Sequence, residues 1–136
     1  MHLSSTSSVA ASWVLPDEDS TVANAARRHL ATDGAVVPPL WHLEVRNVLL
    51  ASVRRRRISP RDMHDRLEAL GELPILDDAS TDLRTALSLA EAHRLSFYDA
   101  VYLELACRRA MALATLDGAL SQAAVAENLP TIAERD

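Results

Sequence analysis

Short strand-like runs alternate with longer helical patterns along the chain, and this alternation is the feature that most limits its fold. Strands separated by helices form βα units, in which the strands pair in parallel and the helices cover the sheet. The candidate strands are Leu3–Thr6, Ala35–Val37, Leu73–Leu76, Ala112–Thr115 and Thr131–Ala133. The helical patterns cover residues 8–14, 20–31, 40–57, 60–71, 81–93, 97–110 and 118–125. We therefore expect an α/β fold with a central parallel sheet of about five strands flanked by helices.

Length and composition favour one domain over residues 1–136. The chain has 136 residues, of which 49% are hydrophobic, and it contains no linker, repeat or low-complexity segment. A chain of this size can bury a core without disulfides or structural metals. Its single cysteine, Cys107, has no partner for an internal disulfide, and the N-terminus lacks a leader pattern. These features predict a cytoplasmic protein, and no apolar run approaches the ~18 residues of a membrane span.

The charge pattern argues against duplex DNA binding and against a zinc site. The formal net charge is −5, and all 14 basic residues are arginine. The broad basic surface of a DNA-binding domain is therefore not expected. The five histidines show no zinc-ligand spacing. A nucleic-acid substrate stays compatible with the composition only where a bound cation reverses the local charge.

Two segments share the Ser-x-x-Asp spacing that begins helices: Ser59 to Asp62, and Ser96 to Asp99. In such a box the serine side chain accepts a hydrogen bond from the third residue of the helix, and the acid reaches back to the serine N–H. We expect Gly34 and Gly71 to end helices, since glycine adopts the left-handed conformation that closes many helices.

Three acids follow predicted strands or open helices in ways that bring them to one edge of the sheet. Asp117 follows the fourth candidate strand, Glu44 lies early in the helix after the second, and Asp99 opens the helix before the fourth. Ligands of open α/β sheets bind beyond the carboxyl ends of the strands. A helical projection places Glu44 and Asp99 on inward faces, with Glu44 substantially buried. Inward carboxylates need a compensating partner, and a shared cation would supply it.

Each acid also has a simpler interpretation. Asp99 completes a capping box with Ser96, Glu44 pairs with an arginine, and Asp117 forms a turn or helix cap with the following glycine. The joint placement of the three acids favours a metal site. Carboxylates and water are the ligands that Mg²⁺ and Mn²⁺ prefer, and such ions activate water for phosphodiester hydrolysis.

Two further acidic segments are expected to have no role in this site. Glu104 is spaced four residues from Arg108, which predicts an exposed ion pair on the outer face of its helix. Asp77 and Asp78 also follow a strand, and we interpret them as a loop leading into a helix.

Four segments together resemble the PIN-domain family, and within it the VapC-type toxins of bacterial toxin–antitoxin pairs. They occur in the family's order over nearly the whole chain. The segments are Ser7-Ser8-Val9-Ala10-Ala11-Ser12-Trp13-Val14-Leu15-Pro16-Asp17-Glu18, Leu43-Glu44-Val45-Arg46-Asn47-Val48-Leu49, Ser96-Phe97-Tyr98-Asp99-Ala100-Val101-Tyr102-Leu103 and Leu113-Ala114-Thr115-Leu116-Asp117.

The resemblance implies a Mg²⁺- or Mn²⁺-dependent endoribonuclease. It further implies a homodimer that a cognate antitoxin holds inactive by occupying the acidic groove. Glu44, Asp99 and Asp117 stand at three of the family's acidic positions, as catalytic residues and metal ligands. The polar positions that support the metal in the family correspond here to Ser8, Asn47 and Thr115.

The fourth acidic position departs from the family pattern, because Thr6 stands where the first metal-binding aspartate belongs. A neutral hydroxyl is a weaker ligand, and the site loses one negative charge. The first candidate strand also departs from expectation: it is polar, whereas a central strand is usually rich in Val and Ile. Three explanations stay open: a natural degenerate enzyme, an engineered inactive form, and a site that Thr6 completes through water.

Arg54, Arg55, Arg56 and Arg57 form a basic run, expected at the end of the long helix that begins near Leu40. Solvated arginines at a helix end complement its dipole, and contact with RNA phosphates or an acidic partner is the functional alternative. The few aromatic residues predict packing and interface roles, and Cys107 an inert buried thiol. The apolar helices over 8–14 and 40–53 predict surface that a partner protein or second subunit covers. The competing functional hypothesis is a PIN-like module that binds antitoxin or RNA without cleavage.

Overall fold

The computed structural model describes residues 3–5, residue 28 and residues 34–130. In this part of the chain four parallel strands form one sheet in the order β3-β2-β1-β4. The strands are β1 (Leu3–Ser5), β2 (Ala35–Val37), β3 (Ile75–Asp77) and β4 (Leu113–Ala114). The predicted α/β class with a parallel sheet is confirmed. A sheet of five strands is not shown, because the fifth candidate, Thr131–Ala133, lies outside the described residues.

Five helices surround this sheet in residues 34–130. They are α1 (Pro39–Arg54), α2 (Pro60–Gly71), α3 (Leu83–His93), α4 (Phe97–Arg109) and α5 (Gly118–Ala126). Each corresponds to a helical pattern in the sequence. The helices predicted over 8–14 and 20–31 fall outside the described residues, apart from the helical residue 28. No helix of the described chain is both long and apolar enough to cross a bilayer.

The sequence prediction of the α1 C-terminus is wrong by three residues. The helix ends at Arg54, so the other arginines of the run lie in the turn that follows. Arg56 takes a left-handed conformation with φ of 59°. The turn satisfies the last carbonyls through bonds from Arg56 N to Val53 O (3.0 Å) and from Arg57 N to Ser52 O (2.9 Å). Glycine usually fills this position because it lacks a Cβ. Because the sequence has an arginine here instead, it gave no signal for the end of the helix.

The third strand begins two residues later than expected. Leu73 donates its N–H to Leu70 O at 3.2 Å, so it belongs to the turn that closes α2. Pro74 has no N–H to donate to a strand ladder. Pairing with β2 begins at Ile75, opposite Ala35, and continues to Asp77, opposite Val37.

The polar β1 is nevertheless an interior strand. It pairs with β2 through Leu3 opposite Ala35 and with β4 through Ser5 opposite Ala114. Helix α4 lies at the centre of the packing, because every residue from Ala100 to Ala106 is buried. Its Tyr102 packs into a core cluster with Val37 and Trp41. This burial fixes α4 against the sheet and therefore fixes the acids that it carries.

Candidate active site

The structure brings Asp99 and Asp117 together. Asp99 lies in the first turn of α4, and Asp117 follows β4 as the N-cap residue of α5. Their side chains interact directly, and Glu44 on α1 adds its charge to the same site. Asp99 and Asp117 are therefore neighbours, and Glu44 acts on Asp99 through its charge.

The surroundings of Asp99 disfavour the charged form of its carboxyl group. Burial is the largest cause that raises its pKa above the usual value, and the charge of Asp117 is the next. The Ser96 hydroxyl lowers the pKa by hydrogen bonding, whereas the charge of Glu44 and a hydrogen bond with Asp117 raise it. A carboxyl pKa raised by burial and by neighbouring like charges is typical of a functional site or of a site that binds a cation.

Glu44 is half-buried rather than substantially buried as expected, and its carboxylate is held by a tyrosine. The Tyr102 hydroxyl donates a hydrogen bond to Glu44 Oε1 at 2.5 Å. The two residues are 58 positions apart, so this bond ties α1 to α4.

The helix-cap interpretation of Asp117 is confirmed. Its side chain accepts a hydrogen bond from Ala119 N at 2.9 Å and so caps α5. Its own N–H donates to Thr115 Oγ1 at 3.1 Å, and Thr115 is buried. Thr115 thus fixes the backbone at Asp117, which agrees with the predicted supporting role. Similarly, Ser96 caps α4 by accepting a bond from Asp99 N at 3.1 Å, while the Asp99 carboxyl faces Asp117.

The donor set suits a hard divalent cation. Carboxylate oxygens with unrelieved mutual repulsion are the ligands that Mg²⁺ and Mn²⁺ favour. Within the described residues, no three His, Cys, Asp or Glu side chains are grouped closely enough to enclose such an ion. The described residues therefore show no complete cation site, and Asp99 and Asp117 are the candidate ligands among them, with the charge of Glu44 acting on Asp99.

Not every predicted site residue can be placed. Thr6, at the departing acidic position, and Ser8 lie outside the described residues. Asn47 is exposed on α1, one turn beyond Glu44, and no hydrogen bond among the described residues ties it to the three acids.

The four arginines are all exposed, with Arg54 in the last turn of α1 and Arg55, Arg56 and Arg57 in the turn beyond it. They follow Glu44 by ten or more residues, which at 1.5 Å per helical residue corresponds to roughly 15 Å along α1. This placement suits contact with a distant part of a substrate or partner rather than chemistry at the acids.

A charge network on α4 contradicts one sequence prediction, because Glu104, expected on the outer face, is only 2% exposed. Asp78 lies in the loop before α3 as predicted, but it is buried, and Asp77 belongs to β3 rather than to the loop. Arg108 donates to Glu104 at 2.8 Å and to Asp78 at 2.8 Å, and Arg109 donates to Asp78 at 2.6 Å. The Arg108 hydrogen bond is the main reason that the pKa of Asp78 lies well below its usual range. The i,i+4 spacing identified the Glu104 pair, but it carried no information on the Asp78 loop that covers it.

Two α4 side chains complete the description. Tyr102 was interpreted as a packing residue, and its hydroxyl function was missed, although its position one turn after Asp99 was a usable signal.

Cys107 is half-buried, and burial raises the pKa of its thiol to about 11, with smaller contributions from Glu127 and Glu104. A thiol with that pKa stays protonated at neutral pH, consistent with the predicted inert role.

Comparison with known proteins identifies one family. The family model of the PIN domain matches residues 7–126, a range that contains Glu44, Asp99 and Asp117. Comparison with curated proteins gives no match.

Proposed function

The chain belongs to the PIN domain family, a nuclease fold family, and from this premise we propose that it is a metal-dependent endoribonuclease of the VapC toxin type. The observation that carries the proposal is the contact between Asp99 and Asp117, with the charge of Glu44 acting on the same site. Capping accounts for Asp117 alone and leaves the like charges around Asp99 uncompensated, which a bound cation would relieve.

The chain's own residues have distinct roles in this proposal. Asp99 and Asp117 would hold Mg²⁺ or Mn²⁺. A divalent cation held there would lower the pKa of a water molecule and neutralise charge on the phosphate. Asp99 or Asp117 orients the attacking water, and Thr115 keeps the Asp117 backbone in place. Arg54, Arg55, Arg56 and Arg57 contact the RNA backbone or an acidic partner.

Two protein partners belong to the same proposal: a second copy of the chain and a cognate antitoxin. Exposed leucines on two helices support it, since Leu43 on α1 is 68% exposed and Leu83 on α3 is 65% exposed. Leu50 and Leu87 extend these two apolar faces. Apolar side chains exposed in this way are typical of surfaces that another protein covers.

RNA cleavage in a defined reaction tests the proposal. Purified protein is incubated with a panel of structured RNAs in Mn²⁺ or Mg²⁺, with EDTA as the metal-free control. We expect metal-dependent cleavage that Asp117→Asn abolishes and that Asp65→Asn, an exposed acid on α2, leaves unchanged. Cleavage that survives both EDTA and Asp117→Asn would contradict the proposed site.

A second function, binding of RNA or antitoxin without cleavage, is favoured by Thr6 at the departing acidic position. Thr6→Asp separates the two. Cleavage that appears only in Thr6→Asp marks a nuclease scaffold lacking one ligand. No cleavage by either protein, together with retained RNA binding, supports the binding module.

A further inference from the structure

The tyrosine that holds Glu44 belongs to the same helix as Asp99, one turn further along. Tyr102 is 1% exposed and packs against Val37 and Trp41. Close packing of an aromatic ring in a core leaves it little freedom to change rotamer. Its hydroxyl is therefore a fixed point, whereas Glu44 has a long side chain on a half-buried part of α1.

The hydrogen bond from Tyr102 consequently holds one oxygen of the Glu44 carboxylate, Oε1, at this fixed point. A glutamate side chain loses considerable rotamer freedom when it is held in one place. A hydrogen bond to an ionised group is among the stronger ones in proteins and can offset that loss. Because α4 carries both Asp99 and Tyr102, the helix sets the positions of two carboxylates, one directly and one through the phenol.

We propose that Tyr102 is a positioning residue that fixes the Glu44 carboxylate beside the Asp99–Asp117 pair and thereby strengthens cation binding there. The inference rests on the proposed function, since it takes Asp99 and Asp117 as the metal ligands, with the charge of Glu44 acting on the same site. Groups that hydrogen-bond to acids at metal sites commonly change metal affinity by 10- to 100-fold when they are removed. Tyr102 acts through Glu44, so its contribution disappears when Glu44 is absent.

A double-mutant cycle on Mn²⁺ affinity tests this dependence. Mn²⁺ binding is measured by electron paramagnetic resonance titration for the wild type, Tyr102→Phe, Glu44→Ala and the double variant. We expect Tyr102→Phe to weaken Mn²⁺ binding about tenfold in the wild-type background and less than about twofold in Glu44→Ala. Tyr98→Phe is the matched control, because it removes an exposed phenol from the same helix. It should leave the affinity unchanged.

The outcomes separate this inference from the proposed function. Equal effects of Tyr102→Phe in both backgrounds would overturn the positioning role while leaving the metal site intact. A wild-type protein that neither binds Mn²⁺ nor cleaves RNA would overturn both.

A further variant covers a failure of Tyr102→Phe to fold. Glu44→Asp keeps the charge and the tyrosine but withdraws the carboxylate from the phenol by one methylene. We expect it to weaken Mn²⁺ binding as much as Tyr102→Phe would, and an unchanged affinity would contradict the proposal.

Discussion

The two Ser-x-x-Asp segments have the same spacing, and the structure uses them differently. Ser59 and Asp62 form a complete capping box, in which Asp62 accepts a bond from Ser59 N at 3.1 Å. That backbone bond is the main cause that lowers the pKa of Asp62. Ser96 caps α4 in the same way, yet burial and the charge of Asp117 raise the pKa of Asp99. The local motif therefore fixes the helix start, and the neighbours in space decide what the acid does.

The largest expected difference between the two segments is in RNA cleavage. If Asp99 holds the cation and orients water, Asp99→Asn should lower the cleavage rate by about 10²- to 10⁴-fold. Asp62→Asn, which alters the exposed capping box, should leave the rate unchanged. Initial rates at saturating Mn²⁺ measure both. Comparable cleavage rates for the two variants would contradict the different roles assigned to Asp99 and Asp62.

A second acid on α4 shows the effect of pairing a buried carboxylate with an arginine. Glu104 is more deeply buried than Asp99, and Arg108 pairs with it and with Asp78. Arg108→Ala leaves Glu104 without this partner and should lower the free energy of unfolding by about 3–5 kcal/mol. Urea unfolding followed by circular dichroism measures it, and Arg61→Ala, an exposed arginine on α2, should stay within about 0.5 kcal/mol of the wild type. A small loss in Arg108→Ala would mean that the network contributes little to stability.

The two serines should prove equivalent, although the two acids do not. Ser59→Ala and Ser96→Ala each remove a side-chain acceptor for the third N–H of a helix. Each should therefore cost about 1 kcal/mol in the free energy of unfolding. A much larger loss at Ser96 would show that this serine supports the acids beyond its capping bond.

The smallest expected effect is that Asp62 and Asp99 make opposite contributions to the pH dependence of folding stability. The folded pKa of Asp62 is lowered, so its contribution is present above the model-peptide value of 3.8 and is lost as the pH falls. The folded pKa of Asp99 is raised, so its ionised form costs stability at neutral pH, and the cost is relieved as the pH falls through that raised pKa.

Metal-free urea unfolding between pH 3 and 7 compares the two asparagine variants with the wild type. Asp62→Asn should be less stable than the wild type at pH 7, and Asp99→Asn more stable. Both differences should shrink towards pH 3. The same sign at pH 7 for both variants would contradict the assigned electrostatics.

Much of the fold followed from periodicity and caps. The β2 bounds and the starts of α2 and α4 agree with the sequence prediction, because Pro60 and the two serines act on their own helix ends. The end of α1 could not be predicted in this way. A left-handed Arg56 closes it, and an arginine gives no local signal for that conformation.

The sequence by itself determined the alternation of strands and helices, the capping serines and the candidate acids, because these depend on residues close together in the chain. Tertiary structure alone decided which acids interact. It placed Asp117 near Asp99, gave Glu44 a tyrosine partner and linked the buried Glu104 to Asp78 through Arg108. The physical reason is that burial and charge depend on neighbours in space, which come from distant segments: Glu44 and Tyr102 are 58 residues apart, and β1 pairs with β4 through Ser5 and Ala114.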